Sequence, residues 1–244
     1  MEESYAGLVA LAEGYPYDLR EEAFTFRGGE AQPFDTDLLL DRTAFLAIGS
    51  NAAPQRLLAK FGHDEIVPVI PARLADHAVV YAATVTGYGS IPATIVVAPG
   101  AVALVSVTFL TDGQVATMDE SEAVGERYER IDLTEATQIE TGPFVGPVVA
   151  YRSLLGALLV NDQPLRLAEV PTVGTKFGAA YQTGVLALLH LTFAQPGEAY
   201  ASFVGALVGS PGRREEIASA LRLGLRTPGH APCRAQKPES VSAT

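Results

Sequence analysis

The chain has 244 residues, of which 48% are hydrophobic, and this is enough to bury a substantial core. It carries 17 basic and 28 acidic residues, a formal net charge of −11, so its surface is expected to repel nucleic acid and anionic membranes. A single cysteine, Cys233, excludes an intramolecular disulfide and a cysteine-rich metal cage. We therefore expect a cytoplasmic protein without nucleic-acid or membrane partners.

The first predicted elements lead to a strand–loop–helix unit. Helical spacing of apolar residues predicts a short helix over residues 4–13, within an N-terminal extension that spans residues 1–40. The apolar segment from Thr43 to Ile48 predicts a buried strand. The chain then breaks at Gly49-Ser50-Asn51, where Asn51 is a suitable N-cap for the helix that follows.

The middle of the chain is predicted to be rich in strands. Segments dense in Val, Ile, Thr or Tyr predict strands at residues 66–69, 78–85, 93–97 and 101–109. Pro99-Gly100 predicts a tight turn between the last two strands. A helix from Thr111 or Asp112 to about Val124 follows, and then a strand from Tyr128 to Leu133.

The C-terminal part is predicted to be largely helical. After a strand near residues 148–151, helices are expected at residues 176–193, 198–208 and 213–223. The final segment, 227–244, is rich in Pro, Ser and Ala and is predicted to be disordered. The whole pattern predicts an α+β fold with a central domain at residues 41–152 and a helical C-terminal extension at residues 153–226 packed on it.

The break after the first buried strand has the composition of an anion-binding loop. A strand that ends in small residues and leads into a helix leaves backbone N–H groups free at the positive helix end. These groups can hold a carboxylate or a developing oxyanion, and Gly49 permits close approach. Taken alone, Gly49-Ser50-Asn51 before a helix is more often an ordinary turn than a binding loop.

Glu122 is the candidate carboxylate. It follows Val115 by seven residues and Met118 by four, so on a helix it lies on the apolar stripe, whereas Glu120 points to the opposite side. A carboxylate on an inward face loses hydration and is suited to accept and return a proton. The alternative interpretation is a surface glutamate at a frayed helix end.

Several short motifs together resemble gamma-glutamyl cyclotransferases. The segment from Ala47 to Asn51 resembles that family's Tyr-Gly-Ser-Asn loop, and the remaining motifs follow in the family's order. These are Ile91-Pro92-Ala93-Thr94-Ile95, Pro99-Gly100, Met118-Asp119-Glu120-Ser121-Glu122 and Tyr128. The resemblance covers roughly residues 45–133.

The resemblance implies a fold and a reaction. The fold is a small mixed β-barrel with flanking helices, and the reaction needs no cofactor or metal. In it, the α-amine of a γ-glutamyl group attacks its own γ-carbonyl, which expels an amine or peptide and leaves 5-oxoproline. Glu122 matches the family's catalytic glutamate. The substrate-binding residues implied by the resemblance are Ile48, Gly49, Ser50, Asn51 and Tyr128.

The sequence departs from the family at Ile48, where tyrosine is usual, so contacts with the γ-glutamyl-type substrate can differ. The terminal extensions are long enough to roof the site or to hold a second copy in a homodimer. Three alternatives stay open: a non-catalytic small-molecule-binding protein, a related amide hydrolase or acyltransferase with a specialised substrate, and an interaction domain built on the C-terminal helices. Ser50 lacks the motif of a serine nucleophile, and the four histidines lack metal-ligand spacing. For Tyr128, a half-buried strand tyrosine is the alternative role.

Overall fold

The structure is a computed structural model that describes residues 2–140 and 146–226. The predicted disorder of residues 227–244 and the position of Cys233 therefore lie outside the described residues. The division of the chain into extensions and a central domain, and the homodimer, stay predictions.

The described residues form six α-helices and thirteen strands. The helices are α1 (Glu2–Glu13), α2 (Pro54–Phe61), α3 (Asp112–Glu122), α4 (Gln182–Phe193), α5 (Tyr200–Gly209) and α6 (Pro211–Leu221). The strands in the first part of the chain are β1 (Phe24–Arg27), β2 (Glu30–Pro33), β3 (Thr43–Ala47), β4 (Val67–Tyr81), β5 (Ala93–Leu110), β6 (Tyr128–Asp132) and β7 (Thr137–Ile139). The later strands are β8 (Val148–Ser153), β9 (Leu159–Val160), β10 (Gln163–Pro164), β11 (Arg166–Leu167), β12 (Thr172–Val173) and β13 (Ala179–Ala180).

One large mixed sheet organises the molecule, which confirms the α+β class. Its main path runs β13-β11-β4-β5-β3-β8-β6, and β1, β2, β7 and β12 pair at its sides. Most neighbours are antiparallel, whereas β3 pairs with β8, and β11 with β13, in parallel. The path has two ends, and no pairing joins β13 to β6 within residues 2–140 and 146–226. The predicted closed barrel is therefore not confirmed.

Two long strands replace the four short strands that the composition predicts. Residues 67–69 and 78–81 of the first two segments lie in β4, residues 82–85 fall beyond its end, and the segments at 93–97 and 101–109 belong to β5. The predicted tight turn at Pro99-Gly100 is wrong. Instead, the register shifts between Ala75 and His77, and Asp76 and Gly100 both adopt positive φ angles, 56° and 80°. The Asp76 carboxylate accepts a hydrogen bond from the Gly100 amide at 2.7 Å, so the paired strands kink together without reversing.

The C-terminal helices share a hydrophobic core with the sheet. Val185 of α4, Phe203 of α5 and Ile217 of α6 are buried in the same cluster as Ile70 and Val107. The helix predicted at residues 176–193 begins later, at Gln182, because Ala179 and Ala180 form β13 against β11 instead. No helix of the described residues is both long enough and apolar enough to span a bilayer.

Candidate active site

A cavity of about 170 Å³ opens where β3, α2, α3 and β6 meet. Its volume is comparable to cavities of about 150 Å³ that admit benzene, so a small molecule fits. The structure brings all of the sequence-predicted site residues to its wall, namely Ile48, Gly49, Ser50, Asn51, Glu122 and Tyr128. Residues that sequence reasoning did not single out also line it, among them Tyr15, Arg56, Lys60 and Tyr88.

The loop after β3 has a different local structure from the one predicted. Residues Ser50–Ala52 form a single 3-10 turn, and α2 begins at Pro54 with Ala53 as its N-cap. The prediction that Asn51 caps the helix is wrong. Its side chain instead donates to the Glu122 carboxylate at 3.1 Å and accepts from the Lys60 ammonium at 2.8 Å. Hydrogen bonds to charged groups are stronger than a bond to a backbone amide. This difference explains why the Asn51 side chain bonds to Glu122 and Lys60 and does not cap α2.

The loop amides are free of backbone partners. Within the described part of the chain, the N–H groups of Gly49, Ser50 and Asn51 donate to no backbone carbonyl. Gly49 and Ser50 are buried, and buried N–H groups are almost always paired in folded proteins. Both residues line the cavity. The loop therefore presents donors to a ligand in the cavity.

Glu122 lies at the last position of α3, beside the loop. A capping box of Thr111 and Gln114 fixes the start of that helix. At its other end, Tyr151 donates to the Asp119 carboxylate at 2.8 Å and ties the helix to β8. The Glu122 side chain is 17% exposed. Both of its protein hydrogen bonds, from Asn51 and Lys60, go to Oε1, so among the described residues Oε2 receives no donor.

Lys60 pairs with Glu122. Its ammonium lies 2.6 Å from Glu122 Oε1 and 3.1 Å from the Met118 sulfur, and its side chain is only 7% exposed. Burial lowers the pKa of Lys60 from its ordinary value, although the adjacent Glu122 carboxylate acts in the opposite direction. The pair fixes the position of Oε1 while leaving Oε2 available.

Two tyrosines hold Ala93 at the cavity wall. Tyr128 donates its hydroxyl to the Ala93 carbonyl at 3.3 Å, and the Tyr15 hydroxyl accepts a bond from the Ala93 amide at 2.7 Å. Burial, and then the Glu122 charge, raises the pKa of Tyr128 above its ordinary value, so the phenol is neutral. Tyr128 is only 7% exposed, and its hydroxyl is bonded to the backbone carbonyl of Ala93.

Gly49 is required by a neighbour from the N-terminal segment. A Cβ atom at this position would collide with the Tyr15 hydroxyl and come within 3.2 Å of the Ala93 Cβ. The φ of Gly49 is −149°, which any residue can adopt, so the requirement is one of space. The group that lies close to Gly49 is therefore the Tyr15 hydroxyl. No pattern in the sequence indicates this contact.

The residues that sequence reasoning missed include a cation pair on α2. Arg56 and Lys60 are four residues apart, which places them on one face of a helix. That spacing, beside the predicted loop, is the signal that could have indicated them. The Arg56 guanidinium lies over the Tyr88 ring, 4.7 Å from its centroid. Among the described residues, no group of three or more metal-binding side chains is present.

Comparisons with known proteins give matches among solved structures. No protein-family model matches the sequence, and no curated protein is similar to it. This chain is similar to a solved gamma-glutamyl cyclotransferase. The two are 16% identical with a TM-score of 0.39, and the match covers 75% of this chain and 99% of the other.

Two further structures are similar to the same degree. One is a Homo sapiens protein described as uncharacterized, with 16% identity, a TM-score of 0.38, and coverage of 78% of this chain and 92% of the other. The second is an Arabidopsis thaliana protein, with 18% identity, a TM-score of 0.37, and coverage of 47% and 70%. These values assign no activity, so the functional assignment rests on the residues of the site.

Proposed function

We propose that the chain is a gamma-glutamyl cyclotransferase-like enzyme that cleaves a γ-glutamyl amide by internal attack. The observation that carries the proposal is the meeting of a carboxylate with free loop amides at one small cavity. Glu122 Oε1 lies 3.1 Å from Asn51 Nδ2, while the amides of Gly49 to Asn51 have no backbone acceptor in the described chain. This arrangement provides the two groups that the reaction requires.

The reaction needs a proton carrier and an oxyanion site. Glu122 removes a proton from the α-ammonium, and the freed nitrogen forms a bond to the γ-carbonyl carbon. Negative charge develops on the carbonyl oxygen, where the loop amides stabilise it. Glu122 then delivers the proton to the leaving nitrogen, the oxyanion re-forms the carbonyl and the original amide bond breaks. The ring nitrogen passes its second proton through Glu122 to the released amine, so 5-oxoproline and an ammonium product leave the site. Because ring closure is intramolecular, holding the substrate curled supplies much of the remaining acceleration.

Lys60 and Asn51 act as positioning residues in this scheme. Both hold Oε1, which orients Oε2 as the oxygen that exchanges the proton. The neutral Tyr128 phenol and the Ile48 side chain shape the cavity wall. We place the protein in the cytoplasm, with residues 41–152 as the part that carries the chemistry.

The test is release of 5-oxoproline from a panel of γ-glutamyl amines and peptides. We expect Glu122→Gln, which keeps the shape of the side chain, to lower the rate by about 10²- to 10⁴-fold. The matched control is Glu120→Gln, which removes the same charge from an exposed position on the same helix and should leave the rate unchanged. Full activity in Glu122→Gln would refute the role of this carboxylate.

A non-catalytic binding protein is the second candidate. It is favoured by Ile48, because the tyrosine that is usual in gamma-glutamyl cyclotransferases would bring a hydroxyl to this loop and isoleucine brings none. In that case γ-glutamyl compounds bind to wild type and Glu122→Gln, and neither releases 5-oxoproline. Formation of glutamate in place of 5-oxoproline would instead identify an amide hydrolase.

A further inference from the structure

The cavity has the opposite charge to the molecule as a whole. The chain carries a formal net charge of −11, yet three cationic side chains line the cavity, Arg56, Lys60 and Arg127, against the single carboxylate of Glu122. Lys60 is neutralised by Glu122 at 2.6 Å. The remaining charge at the wall is therefore positive, and it favours an anionic ligand.

The Arg56 guanidinium has no acidic partner in the described part of the chain. Among the described residues, its side chain forms no hydrogen bond and no ion pair. Its Nε is buried and has no hydrogen-bond partner. A buried donor left unpaired costs free energy, and in native structures such a group calls for a physical explanation.

Aromatic rings hold the guanidinium at the cavity wall. The Arg56 Cζ lies 4.7 Å from the centroid of Tyr88 and 6.0 Å from that of Tyr17. Contact with a ring face restricts the movement of a guanidinium without using its hydrogen-bond donors, so the terminal N–H groups stay free for another partner. A planar fork held in this way is suited to bidentate binding of a carboxylate.

The proposed substrate has two places where negative charge must be stabilised. One is the carbonyl oxygen of the scissile amide, which becomes an oxyanion, and the other is the α-carboxylate of the glutamyl group. These lie on carbons at either side of the attacking nitrogen in the ring that forms. One set of donors cannot serve both, and the cavity contains two sets, the loop amides at Gly49 to Asn51 and the guanidinium of Arg56.

We infer that Arg56 binds the free α-carboxylate of the substrate and restricts the site to γ-glutamyl compounds in which that carboxylate is unmodified. This inference rests on the proposed function for the identity of the ligand, and it assigns the oxyanion to the loop and the carboxylate to Arg56. Arg56 is thus a specificity-determining residue that takes no part in proton transfer.

Equilibrium binding of two product-like ligands tests the inference without any need for turnover. The ligands are 5-oxoproline and its primary amide, which differ only in the charged group. We expect wild type to bind the carboxylate at least about tenfold more tightly than the amide, a difference of about 1.4 kcal/mol. In Arg56→Gln the ratio should fall to near one, and Arg56→Lys should retain part of the preference because it keeps the charge.

Arg152→Gln is the control, since it removes a cation from an exposed pair with Glu129 away from the cavity. Thermal unfolding of each variant establishes that it is folded. An unchanged ratio in Arg56→Gln, or failure of wild type to bind 5-oxoproline, would overturn the inference.

The binding measurement and the 5-oxoproline release assay together separate this inference from the proposed reaction. If Arg56-dependent discrimination is found but no γ-glutamyl compound is converted to 5-oxoproline, the carboxylate site stands and the enzymatic proposal falls. If turnover is found and Arg56→Gln still distinguishes α-carboxylate from α-carboxamide substrates, the reaction stands and the role of Arg56 falls.

Discussion

At the scale of single residues, the site depends on which polar atoms are paired and which are left for a ligand. Glu122 is held through one oxygen by Asn51 and Lys60, and the Arg56 guanidinium lies over the Tyr88 ring. In both cases the protein fixes the group and leaves part of it uncommitted. Such fixing reduces the entropy that a ligand would otherwise have to overcome on binding.

Tyr128 leads to a prediction about alkaline stability. Burial raises the pKa of Tyr128 in the folded state above the value of about 10 that holds in the unfolded chain. The unfolded state therefore loses its proton first, and stability that is fully present below pH 10 declines as the pH rises above 10. For one such group the decline approaches about 1.4 kcal/mol per pH unit.

We expect Tyr128→Phe to make the decline above pH 10 shallower by up to about this amount, as measured by urea unfolding at several pH values. Other buried tyrosines contribute equally to the decline in wild type and in Tyr128→Phe, so their contribution cancels when the two slopes are subtracted. Tyr181→Phe, at a position that is 63% exposed, serves as the control and should keep the wild-type slope. A slope in Tyr128→Phe equal to wild type would contradict the prediction.

At the scale of elements, the end of α3 is strained next to Glu122. Ala123 is the C-cap of the helix and adopts the left-handed conformation, with φ of 50° and ψ of 57°. Alanine pays a steric cost there that glycine does not.

Ala123→Gly should therefore raise the free energy of unfolding by about 0.5–1 kcal/mol. Ala116→Gly, in the exposed middle of the same helix, should lower it by a similar amount, about 0.5–1 kcal/mol. Chemical denaturation measures both variants. Destabilisation by the two substitutions alike would show that the left-handed cap carries no strain.

Local signals in the sequence predict some elements well and others poorly. Helix α3 is predicted closely because Thr111 is a strong N-cap and the apolar stripe is local. The continuity of β5 was not predictable, because Pro99-Gly100 has the composition of a turn. Its actual role as a kink depends on Asp76, 24 residues earlier in the chain.

In the candidate site, too, some residues could be predicted from local sequence and others could not. Glu122 and the Gly49 loop could be predicted from spacing and motif order, since each lies within a short segment. Tyr15, Arg56 and Lys60 could not be assigned in this way, because their roles arise from tertiary contacts. Tyr15, for example, reaches Ala93, 78 residues away in sequence.

At the scale of the whole molecule, the N-terminal segment and the loop after β3 depend on each other. Gly49→Ala would place a methyl group against the Tyr15 hydroxyl, and overpacking of this kind costs about 1–3 kcal/mol. Tyr15→Phe removes the hydroxyl and also leaves the Ala93 amide without its acceptor.

We expect the two substitutions together to destabilise the protein by at least about 1 kcal/mol less than the sum of their separate effects. A double-mutant cycle with urea unfolding measures this coupling. Strict additivity would mean that the loop shifts to accommodate alanine without help from Tyr15. Ala53, a buried neighbour in the same connection, should show no coupling to Tyr15 when it is replaced by glycine.

The kink shared by β4 and β5 has a consequence for how insertions would be tolerated. Asp76 and Gly100 face each other where two long strands bend together, so lengthening one strand by a single residue would reverse the inside and outside of everything beyond the bend. Adding two residues to each strand would preserve both the alternation of faces and the pairing. Divergent versions of this protein should therefore gain or lose residues at this point in pairs.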